Sequence, residues 1–131
     1  MRVLALDHGG VRTGVAISDE TATLARPLTV IERVETDSGF AALLDLVRRE
    51  APGCVVVGLP VSLDGREHAQ AARARSFAGR LAAAVDLPVE LYDERYTSRL
   101  ADQRGGRAAR DARAAATLLE DYLRTSGEQL P

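Results

Sequence analysis

Lysine is absent from this 131-residue chain, cysteine occurs once, and aromatic residues make up only 4%. One cysteine cannot close an internal disulfide. Within the apolar run Cys54-Val55-Val56-Val57 it reads as a small buried hydrophobe. Scarce aromatics leave the core to Val, Leu and Ala. No run approaches the ~18 apolar residues needed to span a bilayer, and the opening Met1-Arg2-Val3-Leu4-Ala5-Leu6-Asp7 lacks a signal peptide's apolar region. The expected compartment is the cytoplasm, with no membrane partner. A strongly basic balance is also missing: the net charge is -2, so the chain has no overall electrostatic footprint of a nucleic-acid binder. All 17 basic residues are arginine, whose planar fork grips phosphate bidentately, so local patches remain open. Coding bias explains the same arginine usage, which therefore decides nothing alone.

What is present reads as one α/β domain over residues 1–131. Val3–Leu6 is a buried strand closed by Asp7 and the turn His8-Gly9-Gly10; Gly14–Asp19 is its hairpin partner, and Pro27–Ile31 a third strand. The period then changes. Thr36-Asp37-Ser38 supplies N-cap candidates, and Phe40, Leu43, Leu44 and Val47 recur at helical spacing until Pro52-Gly53. Cys54–Val57 is a fourth strand, followed by the loop Gly58–Gly65 and an alanine-rich helix from about Glu67 to Val85. Val89–Tyr92 is a fifth strand. Thr97 or Ser98 caps a short helix, and a final helix runs from about Ala108 to Leu123, with a frayed tail from Thr125 to Pro131. The order predicts a mixed five-stranded sheet, three strands in antiparallel hairpins plus two parallel ones, flanked by helices. Right-handed crossovers place strands four and five beside strand one, so the ends carrying Asp7 and Asp93-Glu94 share an edge, where α/β sheets tend to bind ligands.

Singly, each acid has a plain reading. Asp7 suits a turn, Glu94 a solvated strand edge, and Asp111 a first-turn helix acid. Together, two acids at strand ends and a third near the start of a helix packing back on that edge converge. Clustered carboxylates repel unless a cation neutralises them, and oxygen ligands select Mg²⁺ or Mn²⁺. A pair of such ions ~4 Å apart can activate water and stabilise the leaving oxygen of a phosphodiester. Zinc is not indicated, because His8 and His68 stand apart without cysteine partners, and His8 is better read as a loop residue than a ligand. No G-x-S-x-G elbow is present, and Cys54 lies mid-strand, which leaves no nucleophilic triad.

Four motifs follow in order: Leu6-Asp7-His8-Gly9-Gly10-Val11-Arg12-Thr13-Gly14-Val15-Ala16, then Val57-Gly58-Leu59-Pro60 with Asp64-Gly65, then Tyr92-Asp93-Glu94-Arg95-Tyr96-Thr97-Ser98, then Asp111-Ala112-Arg113-Ala114-Ala115 ahead of Tyr122-Leu123. They resemble the YqgF (RuvX) family over nearly the whole chain. The resemblance implies a ribonuclease H-like fold related to the RuvC junction resolvases. It also implies a nuclease maturing the 5′ end of 16S ribosomal RNA, with Holliday-junction resolution as the alternative. The family's acidic triad, catalytic and metal-binding, falls on Asp7, Glu94 and Asp111, with Asp93 as the alternate to Glu94, because strand parity turns only one of the two inward. Expected substrate contacts are Gly9, Arg12, Ser62, Asp64, Arg95, Thr97, Arg104, Arg107 and Arg110. The segment between Glu94 and Asp111 is shorter than the resemblance implies. Partners are structured RNA or branched DNA, and ribosomal precursor particles.

Two further classes stay open. An actin-like ATP-binding protein also opens on Asp-x-Gly, but needs two domains around its nucleotide. A catalytically silent nucleic-acid module is the other. Monomer and homodimer are both compatible with the sequence, and a resolvase requires a two-fold dimer.

Overall fold

The computed structural model describes residues 1–60, 69–93 and 107–129, with side chains of the last stretch described from 111 to 125. Five strands, β1 (Val3–Asp7), β2 (Arg12–Ser18), β3 (Ala25–Glu32), β4 (Cys54–Leu59) and β5 (Val89–Asp93), form one sheet in the order β3-β2-β1-β4-β5. The β1–β2 and β2–β3 pairs are antiparallel, and β1–β4 and β4–β5 are parallel. This is the mixed arrangement anticipated from the sequence. β4 lies directly beside β1 and β5 beyond it. The ends of β1 and β5 are therefore two strand spacings apart, roughly 9.6 Å, rather than adjacent.

Each apolar strand run is explained by cover on both faces. Leu4, Leu6, Val55 and Val57 turn to the side of α1 (Asp37–Glu50) and α2 (Ala69–Ala84), where Leu43, Phe77 and Leu81 complete a core. Val3, Ala5, Cys54 and Val56 turn the other way, against Ala115, Leu118 and Leu119 of α3 (Arg107–Gln129). The α3 side is built largely from small residues, which lets the helix backbone come close to the strands. Burial raises the Cys54 thiol pKa, in keeping with an inert core residue.

Local signals account for the ends of α1 and the start of β3. Thr36 caps α1 by accepting from the Gly39 amide at 3.1 Å. Pro52 disfavours helical geometry in the residue before it, and Ala51 leaves the helix in a left-handed conformation with its amide donating to the Val47 carbonyl. β3 starts two residues before Pro27, which is tolerated because β3 is an edge strand whose ladder is irregular where β2 passes from Val15 to Ala16. The expected frayed tail is corrected: α3 continues to Gln129, with the Thr125 hydroxyl donating to the Asp121 carbonyl and close to the Tyr92 hydroxyl. The short helix expected at Thr97 or Ser98 lies outside the described residues. Among the described residues, no helix is long and apolar enough to cross a membrane.

Candidate active site at the end of the first strand

β1, β4 and β5 run parallel, so their C-terminal ends open on one edge of the sheet, where Asp7 ends β1 and Asp93 ends β5. Alternation sends Asp7 to the same face as Val3 and Ala5, the face covered by α3. Its cross-strand partner is Gly14. A β-carbon on Gly14 would lie 2.0 Å from the Asp111 carbonyl oxygen and 3.2 Å from the Ala112 nitrogen. The α3 backbone thus rests directly on β2 opposite Asp7, and only the absence of a side chain permits it. This contact brings the first and last acids of the proposed set to one place, although more than a hundred residues separate them in the chain.

Arg12, two residues before Gly14 and on the same face, donates through Nε to Asp111 Oδ2 at 2.8 Å. Both side chains are about one-third exposed (30% and 33%), so solvent screens the pair. Its value is geometric: the guanidinium holds one carboxylate oxygen and offsets its charge beside Asp7. Sequence reasoning assigned Arg12 to substrate, whereas its contact in the structure is Asp111.

Asp93 stands on the opposite face. Tyr92 packs toward α3, meeting Tyr122 edge-on and donating to Asp121, whereas Val89 belongs to the core on the α1–α2 side. Alternation along β5 puts Asp93 with Val89, away from Asp7 and Asp111. That placement argues against Asp93 as the alternate ligand. Glu94 lies outside the described residues, as do Ser62, Asp64, Arg95, Thr97 and Arg104. Arg107 and Arg110 fall in the first turn of α3, just before Asp111. Among the described residues, no group of three or more His, Cys, Asp or Glu could hold a metal ion. Asp7 and Asp111 are an oxygen-only pair on one face, a donor set that suits a hard divalent cation once a third ligand joins.

The turn after Asp7 is anchored by its neighbours. A β-carbon on Gly9 would meet the Arg12 carbonyl oxygen at 2.3 Å, so the chain folds tightly back on itself there. His8 is buried and stacks on Phe77 with ring centroids 4.7 Å apart, and its Nε2 lies 3.6 Å from a Glu35 carboxylate oxygen. Burial lowers the His8 pKa below the ordinary histidine value, and the opposing pull of Glu35 and Asp7 does not restore it. The ring is a loop anchor, as its sequence context indicated. A histidine with a depressed folded pKa binds fewer protons folded than unfolded. Stability therefore falls as pH drops below about 6.5, and stops falling on this account once the folded pKa is passed. In urea titrations from pH 7 to 5, His8→Phe, which keeps the stack, should show a shallower loss of stability than the parent protein. Equal slopes would mean that another group is responsible.

Sequence reasoning missed two supports of this site. Gly14 read only as part of a hairpin strand, although a glycine inside a strand is itself a signal of close backbone approach. The packing of Phe77 and Glu35 around His8 had no local signal, because all three come from different elements.

A family model described as RuvX, Holliday junction resolvase, matches residues 1–125. A protein of Maridesulfovibrio salexigens is 39% identical over 132 residues, covering 94% of this chain and 98% of its own length. One from Anaeromyxobacter sp. strain Fw109-5 is 42% identical over 132 residues, covering 94% and 96%. Both carry the provisional name of pre-16S rRNA nuclease. Among solved structures, T. thermophilus RuvC in complex with a Holliday junction substrate aligns with a TM-score of 0.61 at 19% identity, covering 96% of each chain. A second Thermus thermophilus RuvC structure aligns at 0.55 and 19%, covering 98% of this chain and 97% of that one. At these identities the likeness concerns the fold, which is ribonuclease H-like.

Proposed function

This chain belongs to the RuvX family, and on that premise we propose that it is a divalent-metal-dependent endonuclease acting in the cytoplasm on precursor 16S ribosomal RNA. The observation that carries the reading is the meeting of Asp7 and Asp111 on one sheet face, enforced by the bare backbone of Gly14. Asp7, Asp111 and Glu94 would hold Mg²⁺ or Mn²⁺. The metal, when bound, lowers the pKa of water and stabilises charge on the leaving oxygen. In the protein, the acids position the scissile phosphate's counter-charge, and Arg12 fixes the orientation of Asp111. Hydrolysis forms one water-derived P–O bond and breaks one backbone P–O bond, the proton passing to the leaving oxygen. Gly9, Ser62, Asp64, Arg95, Thr97, Arg104, Arg107 and Arg110 are the proposed substrate contacts, and ribosomal precursor particles the setting.

Resolution of four-way DNA junctions is the second reading, favoured by the family's description and by the RuvC-like fold. It demands two active sites related by a two-fold axis. Side-by-side digestion of a precursor ribosomal RNA fragment and a four-way junction in Mg²⁺ or Mn²⁺, with the mass in solution measured alongside, separates the two. Cleavage of the RNA by a monomer is the expected result. Symmetric cutting of the junction by a dimer would transfer the assignment to the second reading, and no cleavage of either would reject both.

A further inference from the structure

In the chain, the arginines expected to contact phosphate, Arg95, Arg104, Arg107 and Arg110, all follow β5. Another flank of the site is formed by α2, which follows β4 and so begins at the open edge of the sheet. On α2, Arg73 is exposed, and its Nη1 reaches to 3.9 Å from where a Gly10 β-carbon would stand, against the turn that follows Asp7. Its charge is near enough to His8 to help lower that pKa.

Several other arginines of the structure have occupations. Arg12 holds Asp111, Arg2 pairs with Glu50, and Arg124 with Asp121. Arg80, two turns further along the same helix face, donates to the Glu35 carbonyl at 2.9 Å and lies 3.9 Å over the Phe40 ring. Among the described residues Arg73 forms no salt bridge. The acid on this flank, Glu35, turns its carboxylate to His8. Arg73 is therefore a guanidinium parked beside the catalytic turn with its charge unspent, in a chain whose net charge of -2 offers nucleic acid no general attraction.

We infer that Arg73 binds a backbone phosphate of the substrate strand next to the scissile one, on the face of the sheet opposite to Arg12. Asp7 then lies between two guanidinium groups, one from β2 on the α3 face and one from α2 on the other. Arg12 stays on Asp111, so Arg73 is the guanidinium left to take a phosphate and hold a strand crossing the sheet edge against the turn after Asp7. This fixes the path of the strand across the edge of the sheet rather than along α3 alone. The inference rests on the nuclease reading above.

The test is binding of a fluorescein-labelled precursor ribosomal RNA fragment and a labelled four-way DNA junction, measured by anisotropy between 50 and 200 mM salt on an Asp7→Asn background that leaves the strands intact. Arg73→Glu should weaken affinity roughly tenfold at the low end and reduce the slope of log K against log salt by about 0.7 to 0.9, the loss of one phosphate contact. Arg73→Gln should show the same slope change with a smaller loss. Arg48→Glu, a matched charge reversal on the far helix α1, should leave the slope as it was. An unchanged slope in both Arg73 variants, with circular dichroism reporting an intact fold, overturns the inference and leaves the nuclease reading standing. Failure of the Asp7→Asn parent to bind either nucleic acid, where the unsubstituted chain also cleaves neither, brings down both together.

Discussion

Asp7→Asn is expected to remove cleavage while leaving the fold intact. The substitution keeps shape and hydrogen-bonding capacity at a half-buried strand end but deletes the charge that a divalent cation needs there. Metal-assisted stabilisation of the transition state is worth several kcal/mol, so the rate with Mg²⁺ should fall by about 100- to 1,000-fold or more. Metal-free stability should change little, because Asn keeps the size and hydrogen-bonding capacity of Asp at this half-buried strand end. The two proteins should also differ in their response to metal. A cation that binds only the folded state raises the melting temperature of the parent, and the Asn variant should lose most of that rise. Calorimetry with and without Mn²⁺, read beside a cleavage assay, gives both quantities. Wild-type rates from the variant would dismiss Asp7 as a ligand and point to a contaminating nuclease.

Gly14→Ala should damage the site from a position that carries no chemistry. The added methyl has no rotamer with which to escape, and the nearest atoms are helix backbone, 2.0 Å from Asp111 O and 2.6 Å from its carbonyl carbon. Either β2 or the start of α3 must move. The overpacking cost is about 1–3 kcal/mol, and a shift of ~1 Å in Asp111 relative to Asp7 can reduce the rate about 100-fold. Gly79→Ala is the informative control, since a β-carbon there meets nothing within 4 Å on an exposed stretch of α2. It should stabilise the protein by about 0.5–1 kcal/mol through helix propensity and leave cleavage unchanged. Full activity and stability in Gly14→Ala would mean that α3 does not press on β2 at this point, and would separate Asp111 from Asp7.

These two outcomes bear differently on what a reader of the sequence can see. The acid at the end of β1 is readable as a turn residue by itself, and only its place in the ordered motifs with Glu94 and Asp111 marks it as a candidate ligand. The α1 boundaries are similarly open to inspection, through Thr36 at one end and Pro52 at the other. Other features are invisible to any local rule. That Arg12 is committed to Asp111 depends on two residues 99 positions apart becoming neighbours. That β4 separates β1 from β5 follows from how successive crossovers fill the sheet, and it widens the gap between strand ends that sequence order alone made look adjacent.

The face on which Asp93 lands shows the same division. Parity along β5 says that Asp93 and its successor point to opposite sides, and this is readable from the chain. Which side carries α3 is decided only when Tyr92 finds Tyr122 and Asp121, and Val89 finds the other core. Sequence by itself determined the kind of elements, their order, the family and the identity of the candidate acids, because periodicity, caps and motif spacing act over a few residues. Tertiary structure alone decided which face Asp7 and Asp93 take, which arginine is bound to an acid and which is left beside the turn. Those outcomes depend on packing distances of a few ångström between segments that the chain keeps far apart.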